Sequence, residues 1–136
     1  MARYSRIRGP ASTFELTAAD QLVPGFSITR HWDDGELLII VASQYFNGTA
    51  AAISPFLTVF LDGAALIPNF GAGSVPAAAS NTLVGYFLQP VTAGQHTLQL
   101  HATGGAAAGD LLLMASTEFT VIQLPSWDQE AELITL

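Results

Sequence analysis

Three histidines and eleven carboxylates are the side chains of this chain that could act as acids, bases or metal ligands. His96 and His101 fall on one predicted strand at an odd separation, so they face opposite sides and cannot share a metal there. Ligand-like composition occurs at Asp33, Asp34 and Glu36, next to His31, where a turn partly offers the oxygen ligands of a calcium site. An ordinary aspartate-glycine turn explains the same residues, and we expect no metal to be bound.

Several kinds of catalysis are excluded by residue types that the chain lacks. It contains no cysteine and no lysine, which rules out disulfide frameworks, zinc-thiolate sites, cysteine nucleophiles and lysine Schiff bases. It has no G-x-S-x-G motif, and no pair of carboxylates stands out for glycoside hydrolysis. No residue pattern nominates a catalytic centre, and we predict that the protein needs no metal or cofactor to fold. A small carbohydrate-active enzyme is the least favoured alternative.

The charges are distributed unevenly along the chain. The formal net charge is −7, yet Arg3, Arg6 and Arg8 all lie in the first eight residues. Arg30 is the only other cation, and every carboxylate lies at or after Glu15. An acidic body repels nucleic acid and anionic lipid, so we expect neither as a partner. The arginines could instead meet an acidic protein partner.

Length and composition favour one domain that associates with copies of itself. The chain has 136 residues, of which 50% are hydrophobic and only 11% are charged, against about 25% charged in typical soluble domains. So few charges leave much apolar surface to be covered by association. The longest aliphatic run, Leu37 to Ala42, is too short for a membrane helix. The first arginines are not followed by an apolar stretch of the length that a signal peptide needs.

Strand-forming segments separated by turn signals run through most of the chain. Asp62-Gly63 predicts a hairpin turn, and Pro24-Gly25 predicts a bulge or an edge strand. Asn47-Gly48-Thr49 matches a glycosylation acceptor but is interpreted as a turn, and Phe70 to Ser80 is interpreted as a flexible loop. The predicted strands are Leu22–Trp32, Glu36–Phe46, Phe56–Asp62, Ala64–Ile67, Asn81–Gln89, His96–Thr103, Leu111–Met114 and Glu118–Leu124. With no helical periodicity of useful length, they indicate an all-β antiparallel sandwich or jelly roll.

Large rings occur at neighbouring positions in two of these strands. Tyr45 precedes Phe46, and Tyr86 precedes Phe87. Neighbouring residues of a strand face opposite ways, so one ring of each pair lies outside the core. Outward rings favour a subunit interface. The candidate interface residues are Tyr45, Phe60, Tyr86 and Phe87.

Two terminal segments are predicted to lie outside the sandwich. We divide the chain into an N-terminal arm (1–12), a jelly-roll domain (13–125) and a C-terminal tail (126–136). The tail is too short for a stable isolated helix and carries apolar residues that need a docking surface. The candidate residues for binding a partner or a neighbouring subunit are Arg3, Arg6, Arg8, Trp127, Leu133, Ile134 and Leu136. Packing of the tail on its own body is equally compatible with the sequence.

Three segments together resemble a known family. They are the strand from Gly35 to Tyr45, the segment from Gln89 to Leu100 (QPVTAGQHTLQL), and the closing strand from Thr120 to Pro125 (TVIQLP). They resemble the tumour-necrosis-factor-like (complement-like) jelly rolls of bacteriophage virion proteins, in which an AG-x-HT-x-x-L strand precedes a terminal TVIEL. Here Gln123 replaces the usual glutamate. The resemblance extends from about Leu22 to Pro125.

The resemblance implies a homotrimer without enzymatic activity. The small size and short terminal segments are most like a head decoration (cement) protein, which binds the major capsid protein on the outer surface of the phage head. Such a protein would be made in the host cytoplasm. The alternative is a tail-fibre or receptor-binding tip module, whose loops would contact the host surface. The assignment of a role to the fold rests on analogy.

Overall fold

The computed structural model of the chain describes residues 4–9, 14–16, 20–48, 52, 54–66, 70–71, 75–103, 111–113 and 116–124. In these residues the chain forms eleven strands and no helix, so none of them builds a helix that could cross a bilayer. The strands are β1 (Tyr4–Gly9), β2 (Phe14–Leu16), β3 (Gln21–Trp32), β4 (Gly35–Asn47), β5 (Phe56–Leu61), β6 (Ala64–Ala65), β7 (Phe70–Gly71), β8 (Ala79–Val91), β9 (Gly94–Thr103), β10 (Leu111–Leu113) and β11 (Thr117–Gln123). The predicted all-β class is confirmed.

The strands pair into two antiparallel sheets. The front sheet contains β1, β2, β4, β8, β10 and β11, and the back sheet contains β3, β5, β6, β7 and β9. In the front sheet β4 pairs with β8 along its whole length and with β11 and then β10 at its other edge. β1 pairs with β11, and β2 pairs with β10. The back sheet has the order β3-β9-β5-β6, and β7 also pairs with β5. The fold is an antiparallel β-sandwich of the jelly-roll type.

The core lies between the two sheets and is filled by alternate residues of each strand. Along β4 the odd-numbered residues from Leu37 to Asn47 are buried and the even-numbered ones are partly exposed. β11 shows the same alternation. This period of two is what a strand with one face on the core requires. The largest fully buried side chains are Trp32, Tyr45, Phe26, Phe119, Leu37, Ile39, Leu57, Leu98 and Leu100.

The predicted turn and bulge both occur. Asp62 and Gly63 connect β5 to β6 as a two-residue hairpin loop. Their φ angles are 50° and 85°, and such a loop favours positive φ at both positions. β3 is an edge strand of the back sheet, and its register with β9 shifts between Leu22 and Ser27. The shift contains Pro24 and Gly25, because proline has no amide hydrogen to donate to a regular ladder.

The structure contains three strands, β1, β2 and β7, that the sequence-based assignment lacked. Residues 4–9, assigned above to an arm, form β1 and belong to the front sheet. Arg30 of β3 also holds β1 across the sandwich, since its Nη1 donates hydrogen bonds to Tyr4 O at 2.6 Å and Ser5 Oγ at 2.8 Å. The predicted loop Phe70 to Ser80 contains β7 at its start and the beginning of β8 at its end.

Candidate functional site

The outward face of the front sheet carries exposed apolar side chains. On β8 the even-numbered residues point away from the core, and Val84, Tyr86 and Leu88 are 73%, 74% and 52% exposed. We call these three residues the β8 stripe. The stripe occurs because β8 alternates, so that its other residues, such as Phe87, point into the core. Large apolar side chains exposed in a row are uncommon on a monomer and indicate an interaction surface.

The strands next to β8 extend this apolar surface across the sheet. Leu38 and Ile40 of β4 and Ile122 of β11 are partly exposed on the same outward face. The strand registers place these side chains in three rows that run across the sheet from β8 to β1. The rows are Leu88–Leu38–Ile122–Tyr4, Tyr86–Ile40–Thr120–Arg6, and Val84–Ala42–Glu118–Arg8. We call this surface the front face.

The edge of the front face at β1 is charged. Glu118 Oε1 lies 2.7 Å from Arg6 Nη2 and 2.7 Å from Arg8 Nε. The hydrogen bond from Arg6 holds the pKa of the Glu118 carboxyl below its usual range, and the same bond raises the pKa of Arg6. Two cations share one carboxylate, so this edge keeps a positive charge in an otherwise acidic chain. We call Tyr4, Arg6 and Arg8 the β1 row.

The outward face of the back sheet is polar by comparison. Along β9 the outward residues include Thr97, Gln99 and His101, while Leu98 and Leu100 face the core. Thr97 Oγ1 lies 2.9 Å from Thr29 Oγ1 on the neighbouring β3. Among the described residues, the exposed large hydrophobic side chains are Tyr4, Val84, Tyr86 and Leu88 on the front sheet and Leu22 on the back sheet. The exposed apolar side chains are therefore concentrated on the front face, and they do not simply reflect the high apolar content of the chain.

The structure separates the four aromatic interface candidates. Tyr86 lies on the front face, as part of the β8 stripe. Tyr45 is fully buried and Phe87 is 9% exposed, so both rings fill the core of the chain itself and cannot cover a partner. Burial raises the pKa of the Tyr45 hydroxyl. Phe60 lies on the back sheet, where it stacks on His101 with ring centroids 4.0 Å apart.

The candidate residues for partner binding fall into two groups. Arg6 and Arg8 are strand residues that pair with Glu118 within the chain. The others, Arg3, Trp127, Leu133, Ile134 and Leu136, lie outside the described residues.

Sequence reasoning did not select Val84, Leu88, Leu38 or Ile40. A signal was present in Leu37 to Ala42, because an uninterrupted aliphatic run in an antiparallel sheet indicates a strand that is apolar on both faces.

Each histidine of β9 pairs with one aspartate at the surface. His96 Nδ1 lies 2.6 Å from Asp62 Oδ2, and its Nε2 donates to Thr92 O at 2.9 Å. The hydrogen bond with Asp62 raises the pKa of His96 and lowers the pKa of Asp62. His101 Nδ1 lies 2.7 Å from Asp20 Oδ2. These pairs tie neighbouring turns and strands together, and each brings only one carboxylate to one imidazole.

The acidic turn between β3 and β4 is held by Gln123. Asp33 N donates to Gln123 Oε1 at 2.7 Å, and Gln123 Nε2 donates to Asp33 O at 2.7 Å. Asp33, Asp34, Glu36 and His31 do not come together as a group of metal ligands, and the described residues contain no other group of three or more metal-ligating side chains.

Asn47, the acceptor position of the sequon, is fully buried and its Nδ2 donates to Val75 O at 2.9 Å. Asn47 is the last residue of β4, and Thr49 of the predicted turn lies outside the described residues.

Comparison with known proteins identifies the fold. No protein-family model and no curated protein sequence matches the chain. Among solved structures, Eiger TNF from S. frugiperda is similar with a TM-score of 0.61 and 14% identity, over 92% of this chain and 94% of that chain. Murine APRIL is similar with a TM-score of 0.59 and 11% identity, over 91% and 100%. At such identities the likeness concerns the fold, which is that of TNF-like jelly rolls.

A viral protein shares the same fold. The VP2 subviral particle of infectious bursal disease virus is similar with a TM-score of 0.62 and 16% identity. The alignment covers 90% of this chain but 33% of the VP2 chain. This chain thus spans about a third of that protein.

Proposed function

We propose that this chain is a structural virion protein without enzymatic activity, which trimerises through the front face and decorates the head of a bacteriophage. The observation that carries the proposal is the β8 stripe together with the apolar rows beside it. A stable interface buries about 800 Å² per partner and concentrates aromatic and aliphatic side chains at its centre. Tyr86, flanked by Val84 and Leu88 and by Ile40 in the same row, supplies such a centre.

The jelly-roll fold supports a virion role. The fold is shared with VP2 of a subviral particle and with TNF proteins, and the sequence motifs of β4, β9 and β11 resemble those of phage virion jelly rolls. The resemblance favours three copies around a three-fold axis. The major capsid protein is the proposed partner of the trimer, on the outer surface of the head, after synthesis in the host cytoplasm.

The side chains of the described residues support a binding role over catalysis. The histidines of β9 are each engaged by one aspartate at the protein surface, and Glu118 is neutralised by two arginines. A catalytic pair needs groups whose pKa values are pushed apart within a cleft that holds a substrate. These pairs instead join strands on open surfaces.

The N-terminal segment that we propose to bind the capsid is shorter than the arm predicted from the sequence. Because Tyr4–Gly9 is a strand of the front sheet, the segments that we propose to reach a capsid subunit are residues 1–3 and the tail 126–136. Arg3, Trp127, Leu133, Ile134 and Leu136 are the side chains proposed for this contact.

The proposal is tested in two steps. Sedimentation equilibrium at micromolar concentration should give three times 14.3 kDa, and a single species of 14.3 kDa would contradict the trimer. Co-sedimentation with undecorated phage heads should then show binding by the full chain. Weaker binding is expected when residues 1–3 or 126–136 are removed. Binding to host cells without binding to heads would favour the tail-fibre alternative.

A further inference from the structure

The two edges of the front face differ in chemistry. At the β8 edge the outward side chains are Val84, Tyr86 and Leu88, which are apolar or aromatic and exposed. At the β1 edge they are Tyr4, Arg6 and Arg8, two of which are cations bound to Glu118. One edge is therefore apolar, and the opposite edge of the same sheet is cationic.

The side chains of the two edges lie at matching heights along the strands. Register through β4 and β11 places Tyr86 in one row with Arg6, and Leu88 and Val84 in rows with Tyr4 and Arg8. Both edges project outward side chains at every second residue, a repeat of roughly 7 Å. The side chains of the β8 stripe are therefore spaced along their strand in the same way as the side chains of the β1 row.

Closed symmetry turns this match into a contact between copies. A rotation about an axis parallel to the strands moves a residue around the ring without changing its height, so a heterologous ring joins one edge to the opposite edge in the same row. A two-fold dimer through β8 would instead place the β8 stripe against its own copy and leave the β1 row unused. Complementary chemistry at the two edges favours the ring.

We propose that the β8 stripe of one copy packs on the β1 row of the next, with the Tyr86 ring against the guanidinium of Arg6. This inference rests on the proposed trimer and specifies which residues meet in it. Glu118 holds Arg6 in place through a 2.7 Å ion pair, and a guanidinium paired with a carboxylate in this way can also receive an aromatic ring on its face. Leu88 then meets Tyr4, and Val84 meets the aliphatic stem of Arg8.

Crosslinking can distinguish the two arrangements because the native chain has no cysteine. The test uses Val84→Cys and Arg8→Cys, which leave Tyr86 and Arg6 intact. Within one chain these positions are separated by three strand spacings, about 14 Å. A bismaleimide with a shorter spacer can therefore join them only between copies.

The ring predicts that the double variant is converted to covalent three-chain products, while Val84→Cys alone gives no crosslinked dimer. A crosslinked dimer from Val84→Cys alone would overturn the proposed edge contact and support a two-fold arrangement. Sedimentation of each variant before crosslinking reports the oligomer itself. A monomer there would count against the proposed trimer, whereas a trimer in which the two introduced cysteines do not crosslink would count against this contact only.

A double-mutant cycle tests the ring-on-guanidinium contact. Tyr86→Leu, which keeps apolar bulk, and Arg6→Gln should each weaken association by up to about tenfold per contact, and together by less than the product of the two. The control cycle combines Tyr86→Leu with Gln99→Ala on the polar back face and should show independent effects. Independent effects in the Tyr86–Arg6 cycle would contradict the contact.

Discussion

Gln123 joins the end of the front sheet to the β3–β4 turn through a pair of hydrogen bonds made with one residue. Its amide oxygen accepts from Asp33 N and its amide nitrogen donates to Asp33 O, both at 2.7 Å, while Gln123 itself is only 4% exposed. Gln123→Leu keeps the approximate size of the side chain and removes both bonds. The backbone groups of Asp33 then lose these two contacts.

The expected cost follows from how well water can replace the lost contacts. Each hydrogen bond contributes about 1 kcal/mol net, and a buried group left without a partner costs about 1–3 kcal/mol. Asp33 is exposed, so water relieves part of the loss, and we expect Gln123→Leu to lower the free energy of unfolding by about 2 kcal/mol. Gln123→Glu keeps an acceptor for Asp33 N, but it places a second, charged carboxylate oxygen against Asp33 O in a site that is only 4% exposed, so its cost should be at least as large.

Urea unfolding at pH 7 measures both variants against the native chain. Protein concentration must be the same throughout, because association stabilises an oligomer by mass action. Gln99→Ala, on the polar face of the back sheet, is the control for a simple loss of an amide. The reasoning is refuted if either Gln123→Leu or Gln123→Glu is as stable as the native chain.

Four further predictions concern stability. Because the pKa of His96 is raised, the stability that the charged imidazole contributes is complete below its usual pKa of 6.5 and is lost as pH rises through the raised value. Because the pKa of Asp62 is lowered, the stability that its carboxylate contributes is lost in acid. Asp62→Asn should therefore lower the free energy of unfolding most near pH 5–6 and less at pH 9. The loss should stay below about 1 kcal/mol because the aspartate is half exposed. Equal losses at both pH values in urea unfolding would contradict this. Gly85→Ala should cost about 1–3 kcal/mol because its Cβ would overlap the ring of Phe70, and the cost should shrink in a Phe70→Leu background in thermal melts. Removal of the first ten residues, which include β1, should lower the melting temperature, whereas excess chelator should leave it unchanged.

The sequence predicted the position of most strands because their signals are local. β4, β8 and β9 begin and end within about two residues of the expected bounds, as is usual where turn dipeptides interrupt strand-forming runs. β1 was missed for the opposite reason. Its pairing with β11 joins residues that are 112 positions apart in the Arg6–Glu118 pair, and of its inward residues only Ile7 is a large apolar residue that marks a core-facing position.

The direction in which the aromatic rings point could not be read from the sequence. Of the two adjacent pairs, the first ring of one (Tyr45) and the second ring of the other (Phe87) face the core. In β9 the choice was visible because Thr97 and Gln99 occupy one side and leucines the other. In β4 both sides are aliphatic, so the period of two carries no information about which side is the core.

That ambiguity and the proposed assembly have a single physical origin. A strand whose outward face meets water needs polar residues there, and the alternation then identifies the core side. A strand whose outward face meets another protein does not, and the alternation disappears from the sequence. β9 and β4 lie in the two sheets of one sandwich and show these two behaviours. The loss of alternation over Leu37 to Ala42 is therefore itself an argument that the front face is covered when the protein functions, in agreement with the exposed Tyr86 beside it.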